Sequence, residues 1–319
     1  MSTLTLQNIV FLSNELSLTM IILDEWSMVY IEGIDAKNFL QNQLTIDINM
    51  LKTTHHRFCS HCNFNGKVLS TMHIFKYDQG YAYVQRKSVS NMQITELKKY
   101  SLFSKVKIKQ LNDVVLVGMT GLNVRSFLSG FSKIIPDEKT TIIHNEGMTI
   151  LWFSQPLERF LLVLSISDFL SFKNNIDKNI SLNNSKQWLS LDIEAGFPII
   201  DQECVNKFTP QAINLDKLKA ISFQKGCYYG QETIARIFFK NLNKYNLYCL
   251  CGKGYISIKI GSIIKVKRQN EWCKVGFVLS VSNVFFEKTL IQAVLKKPVS
   301  SNSMFRIDEF KNLFFIKTI

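Results

Sequence analysis

The sequence predicts an α+β protein of more than one domain, with a ferredoxin-like unit in its middle and a small barrel or sandwich at its end. Three observations carry that expectation. Extended and helical patterns follow one another as β-α-β-β-α from Val114 onward, which is most of a split βαβ unit. After Ile237 short extended runs recur between polar turns, the spacing of a small barrel or sandwich. The chain has 319 residues, 46% of them hydrophobic, with only 14 Gly and 5 Pro, so it is too apolar for disorder and long enough for two or three separate cores.

Taken in order, the first 20 residues show no clear period and lead into a strand over 27–31. Asp35 is placed to cap a helix over 36–44, in which Ala36, Phe39, Leu40 and Gln43 share one face. Asn65-Gly66 between extended runs marks a hairpin over 59–69, and 95–100 reads as a brief helix. Lys105, Lys107 and Lys109 alternate with Val106 and Ile108, giving a strand with one basic face. The middle unit then runs as a strand over 114–118, a helix over 122–131, strands over 148–153 and 160–165, and a helix from Asp168; such a unit can form a compact module of its own. Barrel strands are expected over 263–266, 272–282 and 289–295.

The chain is basic, with 38 Lys+Arg against 25 Asp+Glu, a net charge of +13. A basic protein favours nucleic acid or anionic membrane surfaces. The excess is 31 Lys to 7 Arg beside 25 Asn, the bias of an AT-rich genome, whereas recognition surfaces favour the bidentate fork of Arg. The first basic residue is Lys37, so the charged start of a secretory signal is missing, and no apolar run approaches the roughly 18 residues of a membrane span. Seven Cys, an odd number in a chain this large, argue for reduced thiols and a cytoplasmic location.

The segment Lys225-Gly-Cys-Tyr-Tyr-Gly-Gln-Glu232 is the densest in chemistry. Two Gly flank Cys227 in a tight turn, and Lys225 nearby would favour its thiolate, the reactive form; a packing Cys in a Gly-punctuated turn is the plain alternative. Cys59 and Cys62 have CxxC spacing with His55, His56 and His61 close by, but the only other close pair, Cys249 and Cys251, is CxC and far along the chain, so no metal site is expected. Trp26 and Trp188, two of only 4 Trp, each precede a strand-like run and suit a core. A core role is the simpler reading; the alternative is the stacking walls of a flat heterocycle, which also needs a carboxylate facing its 2-amino-N3–H edge, a role that Glu194, six residues after Trp188, would suit.

The segment 225–236 (KGCYYGQETIAR) resembles the signature of the YgfZ family, folate-binding and tRNA-modifying relatives of the aminomethyltransferase (T-protein) of glycine cleavage. Further segments resemble the family in the right order: 33–41 (GIDAKNFLQ), His61-Cys62 with Gly66-Lys67, 97–106 (LKKYSLFSKV), 183–188 (NNSKQW) and 210–215 (PQAINL). The similarity runs from about Leu18 to the C-terminus. It implies a three-domain, ring-like aminomethyltransferase fold with a central folate site: a discontinuous folate-binding core over 18–110 and 185–237, the ferredoxin-like module over 111–184, and the barrel over 238–319. It puts the folate-site tryptophans on Trp26 and Trp188, the pterin anchor on Glu194, and the functional Lys and Cys on Lys225 and Cys227. Two departures stand out. Asn63 replaces an Asp common after His-Cys, and the segment 241–245 (NLNKY) replaces a more usual Gly-x-x-Lys-Arg. The expected function is therefore an accessory one, a folate-binding factor for tRNA modification that assists iron–sulfur, methylthiolating enzymes. The rivals are a folate-dependent aminomethyltransferase and a factor that binds tRNA directly through the Lys-rich strand.

Overall fold

The computed structural model describes residues 6–7, 9–176, 180–308 and 310–317. Three sheets organise the chain. The first is antiparallel, in the order Arg57–Cys62, Val68–Tyr77, Gly80–Arg86, Trp26–Glu32, Lys107–Leu111. The second has seven strands, in the order Leu6–Gln7, Ser181–Asn184, Thr19–Ile22, Val114–Thr120, Arg159–Ser165, Met148–Phe153, Ile142–Asn145. The third closes as a six-stranded barrel of Tyr245–Lys253, Lys288–Lys296, Glu271–Val284, Ile263–Arg268, Phe305–Ile307 and Phe314–Ile316.

Strand alternation makes the first two sheets face each other. In Trp26–Glu32, Trp26, Met28 and Tyr30 join the same core as Leu116, Leu151, Phe153, Leu161 and Val163 of the second sheet. Val29 and Ile31 point to the other face, under the helices Ala36–Gln43 and Lys87–Tyr100. The second sheet divides in the same way, with Val117, Met119, Ile150, Phe160 and Leu162 facing its own helices. The result is helix, sheet, sheet, helix, with a shared apolar layer between the sheets. The helix Ser185–Ala195 inserts Trp188 and Leu191 into that layer. It starts where the Asn184 side chain accepts from the Lys186 amide and stops at Gly196, whose φ of 75° suits a left-handed cap.

Several expectations are met closely. The helix Ala36–Gln43 buries the four residues assigned to its inner face. Asp35 precedes it, but its carboxylate accepts from the Lys105 amide at 2.7 Å and makes no cap hydrogen bond, so it ties the helix start to a neighbouring loop. The helix expected over 95–100 runs longer, Lys87–Tyr100, and the one expected over 122–131 is shorter, Val124–Leu128. The middle unit does not stand alone: Thr19–Ile22 inserts between Ser181–Asn184 and Val114–Thr120, so the N-terminal segment completes its sheet. Four residues without a turn signal are too few for a period to show. Trp188 lies within a helix rather than ahead of a strand.

Candidate functional site

Both candidate tryptophans belong to the layer between the sheets, and each carries an arginine on one face. Trp26 opens its strand with the Arg86 guanidinium 4.5 Å from its ring centre; Arg86 in turn pairs with Glu25 and Asp201 at 3.0 and 2.9 Å. The ring lines a cavity of about 260 Å³ together with Asp24, Ser27, Lys87, Gln110 and Asn112. Trp188 is only 2% exposed. Arg159 lies 4.4 Å over it and Phe153 meets it edge-on at 5.8 Å. Gly118 makes this fit possible, because a Cβ there would sit 2.5 Å from Trp188 Cε3.

Arg159 is fully buried. Its Nη2 donates to Asp192 Oδ1 at 2.6 Å and its Nε to the Gln155 carbonyl at 2.9 Å, while Nη1 has no partner. Burial lowers the pKa of Arg159 and raises that of Asp192, and each is the charge that opposes this in the other. Around the pair stand Phe153, Phe197, His73 and His56. His56 Nε2 lies 2.8 Å from the Trp152 carbonyl, which can only accept, so Nε2 carries the proton and the unpartnered Nδ1 is an acceptor. Burial keeps both imidazoles neutral, His56 pushed down to about 4 and His73 well below its usual range.

Glu194 makes its hydrogen bonds elsewhere, although its charge also acts on Arg159. On a helix Asp192 lies about 40° around the axis from Trp188, whereas Glu194 lies about 120° away. Both Glu194 oxygens are engaged: the Ser13 amide donates to Oε1 at 3.0 Å, and the Ser13 hydroxyl and Lys317 ammonium to Oε2 at 3.1 and 2.5 Å. It thereby ties the N-terminal and C-terminal segments to this helix. Asp192 and Arg159 were not singled out in the sequence; the signal for Asp192 was its i+4 spacing from Trp188, hidden by reading the Trp as a strand approach.

The second locale is the turn 225–230, which mixes buried and exposed residues. Lys225 and Tyr228 are buried, while Gly226 and Cys227 are exposed. The Lys225 ammonium donates to the carbonyls of Gln41, Leu44 and Ile46 at 2.5, 2.8 and 2.7 Å. Burial pushes its pKa down to about 8, so at neutral pH it keeps the protons its three acceptors take. Its charge is thus spent on the segment after the helix Ala36–Gln43. The Tyr229 amide bonds the Asn42 carbonyl at 2.9 Å, and its hydroxyl meets that of Tyr100. Gly230 is required by geometry, with φ of 81° and space for a Cβ only 2.4 Å from the Asn63 carbonyl; Gly226 has open space.

All seven cysteines are free; Cys227 alone is exposed, and Cys251 and Cys273 are half-buried. Burial pushes the Cys62, Cys204 and Cys249 thiols up to about 12 and Cys59 higher still. Among the described residues no group of three or more His, Cys, Asp or Glu is placed to hold a metal ion, and no helix is long and apolar enough to cross a membrane. Asn63 uses its carboxamide on its own turn, Oδ1 accepting from the Asn65 and Lys67 amides.

Comparison with known proteins adds three findings. The family described as "YgfZ, beta-barrel domain" matches residues 243–310. The chain is 61% identical, over 99% of both lengths, to "tRNA-modifying protein YgfZ" of Buchnera aphidicola subsp. Acyrthosiphon pisum (strain APS), and 55% identical, over 98% of both, to the protein of that name in Buchnera aphidicola subsp. Schizaphis graminum (strain Sg). Its fold is that of the glycine cleavage system aminomethyltransferase T from Bartonella henselae, with a TM-score of 0.75 over 95% of this chain and 86% of that one, at 16% identity.

Proposed function

The chain belongs to the YgfZ family, and from that premise we propose that it is a cytoplasmic folate-binding factor that supports tRNA modification. The tRNA link rests on the two near-full-length relatives named as tRNA-modifying proteins. The folate link rests on the aminomethyltransferase fold together with one observation, the cavity lined by Trp26. Its 260 Å³ is below the roughly 300–1,000 Å³ usual for a whole drug-sized ligand and so takes part of a folate. When bound, a reduced folate supplies a carrier for one-carbon units. The protein's own part is to hold it, exclude water from it, and present Cys227 on a turn braced by Lys225 to a partner, an iron–sulfur enzyme that thiomethylates tRNA.

Titration with 5-formyltetrahydrofolate should quench the tryptophan fluorescence saturably. A folded protein without quenching would refute the folate site. A chromosomal deletion should lower tRNA thiomethylation, and the intact gene should restore it; unchanged thiomethylation would refute the tRNA role. One observation favours direct tRNA contact as a second reading: Lys107 and Lys109 both face outward from the edge strand Lys107–Leu111. That reading requires an RNA complex whose affinity falls steeply with salt.

A further inference from the structure

We propose that a lysine-rich cavity between the first sheet and the barrel binds an unpaired nucleotide of tRNA. The inference rests on the tRNA role proposed above and gives it a place of contact on this chain.

The cavity measures about 350 Å³, within the roughly 300–1,000 Å³ of sites that hold a small ligand. Three lysines line it, Lys67, Lys207 and Lys244, together with the rings of Phe208, Tyr245 and Phe277. Its lining includes no Asp or Glu, and among the described residues none of the three ammonium groups pairs with a carboxylate. Lys274 lies 4.6 Å from the centre of the Phe277 ring and brings a fourth ammonium close. Like charges gathered around one concavity repel each other and raise its potential, so an anion is drawn in and relieves the repulsion.

The backbone around the cavity is tied down while the charged ends are not. The Val68 amide donates to the Phe208 carbonyl at 2.9 Å and the Asn206 amide to the Val68 carbonyl at 3.0 Å, which holds 206–208 against the start of the strand Val68–Tyr77. Asn63 Nδ2 donates to Asn206 Oδ1 at 2.8 Å and joins that segment to the hairpin turn before Lys67. On the barrel side the Asn243 side chain donates to the Gln211 carbonyl at 3.0 Å and accepts from the Tyr245 amide at 3.1 Å. Lys207 and Lys244 are exposed, and the Lys67 ammonium reaches the Lys207 carbonyl only at 3.4 Å.

Two chemistries together select the ligand. Ammonium groups take a phosphate, and the half-buried rings of Phe208, Tyr245 and Phe277 offer apolar surface to a base, which an inorganic anion would leave unused. A paired base is stacked inside its duplex and cannot enter a cavity, so the strand must be single there. The helix Gln231–Phe239 follows the turn of Cys227 and puts Ile237 in the cavity wall. From Gln231 to Ile237 it rises about 9 Å, so RNA held here lies one short helix from the exposed thiol.

A fluorescein-labelled oligouridylate, read by anisotropy on the full chain, tests the site. The wild type should bind it, and should bind a fully paired RNA hairpin about fivefold more weakly or worse, the loss of one stacked base. Lys67→Gln, Lys207→Gln and Lys244→Gln combined should lower the affinity about tenfold or more and reduce the slope of log K against log salt by about 2, the share of three phosphate contacts on a single strand. Phe277→Leu should weaken binding about fivefold or more and leave the salt slope unchanged. Lys107→Gln with Lys109→Gln should keep the affinity within about twofold. No binding by the wild type at low salt overturns the proposal, even where deletion of the gene lowers tRNA thiomethylation, so the two failures are distinguishable. Loss of affinity in the Lys107 and Lys109 variant but not in the triple variant moves the contact to the edge strand and overturns it too. Equal binding of strand and hairpin, or full affinity in Phe277→Leu, marks a merely basic surface and overturns the cavity; these two measurements decide the case in which the triple variant does not fold. Uridine monophosphate competing as well as the oligouridylate would make the ligand a free nucleotide and overturn RNA as its source. Unchanged thiomethylation in the deletion strain fails the tRNA role itself, and this assignment with it.

Discussion

Arg159 and Lys225 are both cations taken out of water, and the chain treats them in opposite ways. Arg159 has a carboxylate partner and an aromatic face, and its Nη1 still has no hydrogen-bond partner among the described residues. Lys225 has no carboxylate partner, yet each of its three protons meets a carbonyl, and the Tyr228 ring lies 5.0 Å away. The first arrangement has spare capacity. The second has none and acts as a brace, fastening the turn that carries Cys227 to the segment after the helix Ala36–Gln43. The cation with an unpartnered nitrogen thus lies between the sheets, while the accessible thiol is held at the surface by buried neighbours. The buried cysteines Cys59, Cys62, Cys204 and Cys249 follow the interior rule: burial disfavours their thiolates.

Breaking the interior pair should cost the most stability. Asp192→Ala strands Arg159 as an uncompensated buried charge and should destabilise the fold by about 3–5 kcal/mol in urea unfolding. A loss under 1 kcal/mol would mean that water already reaches the pair. Lys225→Met leaves the carbonyls of Gln41, Leu44 and Ile46 without their donor and should cost about 1–3 kcal/mol. It should also raise hydrogen exchange at the Tyr229 amide, which the Asn42 carbonyl holds. If stability falls but that exchange does not change, Lys225 does not brace the turn.

Acid should separate the two regions. His61 is buried and His56 and His73 half-buried, and all three are neutral, with folded values near 3, near 4 and well below 6.5. Unfolded imidazoles bind protons below about 6.5, so over that window the unfolded state holds more protons and stability rises with pH. The contribution is complete above pH 6.5 and is lost as pH falls toward 4. Urea midpoints measured from pH 7 to 4.5 should decline with proton uptake approaching three per molecule. A flat profile would show that the imidazoles are solvated.

The sequence was most legible where one period acts alone. The helix Ala36–Gln43, the hairpin at Asn65-Gly66 and the strands Val114–Thr120 and Met148–Phe153 obey local patterns, and the structure shows them. Thr19–Ile22 was not legible, because its partners Val114–Thr120 and Ser181–Asn184 lie far along the chain and four residues show no period. In the site, Trp26 and Trp188 stood out as rare residues, and both lie between the sheets. Asp192 and Arg159 did not stand out, because a pair 33 residues apart has no spacing signature and only the fold brings it to 2.6 Å. Lys225 and Cys227 share a motif two residues apart, but the fold buries one and exposes the other, which closeness in sequence does not reveal.

The smallest effect on stability belongs to Cys227, and this makes its substitution the sharpest probe of the contrast. The residue is exposed on a turn and its side chain donates no hydrogen bond to the protein, so Cys227→Ser should change stability by less than about 0.5 kcal/mol. In the native wild-type protein one thiol should react with a bulky alkylating reagent well ahead of the other six, and mass spectrometry should place that adduct on the peptide containing Cys227. If the turn serves the partner enzyme, Cys227→Ser should fold, bind 5-formyltetrahydrofolate like the wild type, and still fail to restore tRNA thiomethylation in a deletion strain. Normal complementation would reduce the exposed thiol to a bystander and leave the inter-sheet site as the functional part of the molecule. Loss of folate binding in that variant would undo the separation itself, because it would show that the surface turn and the inter-sheet cavity form one site.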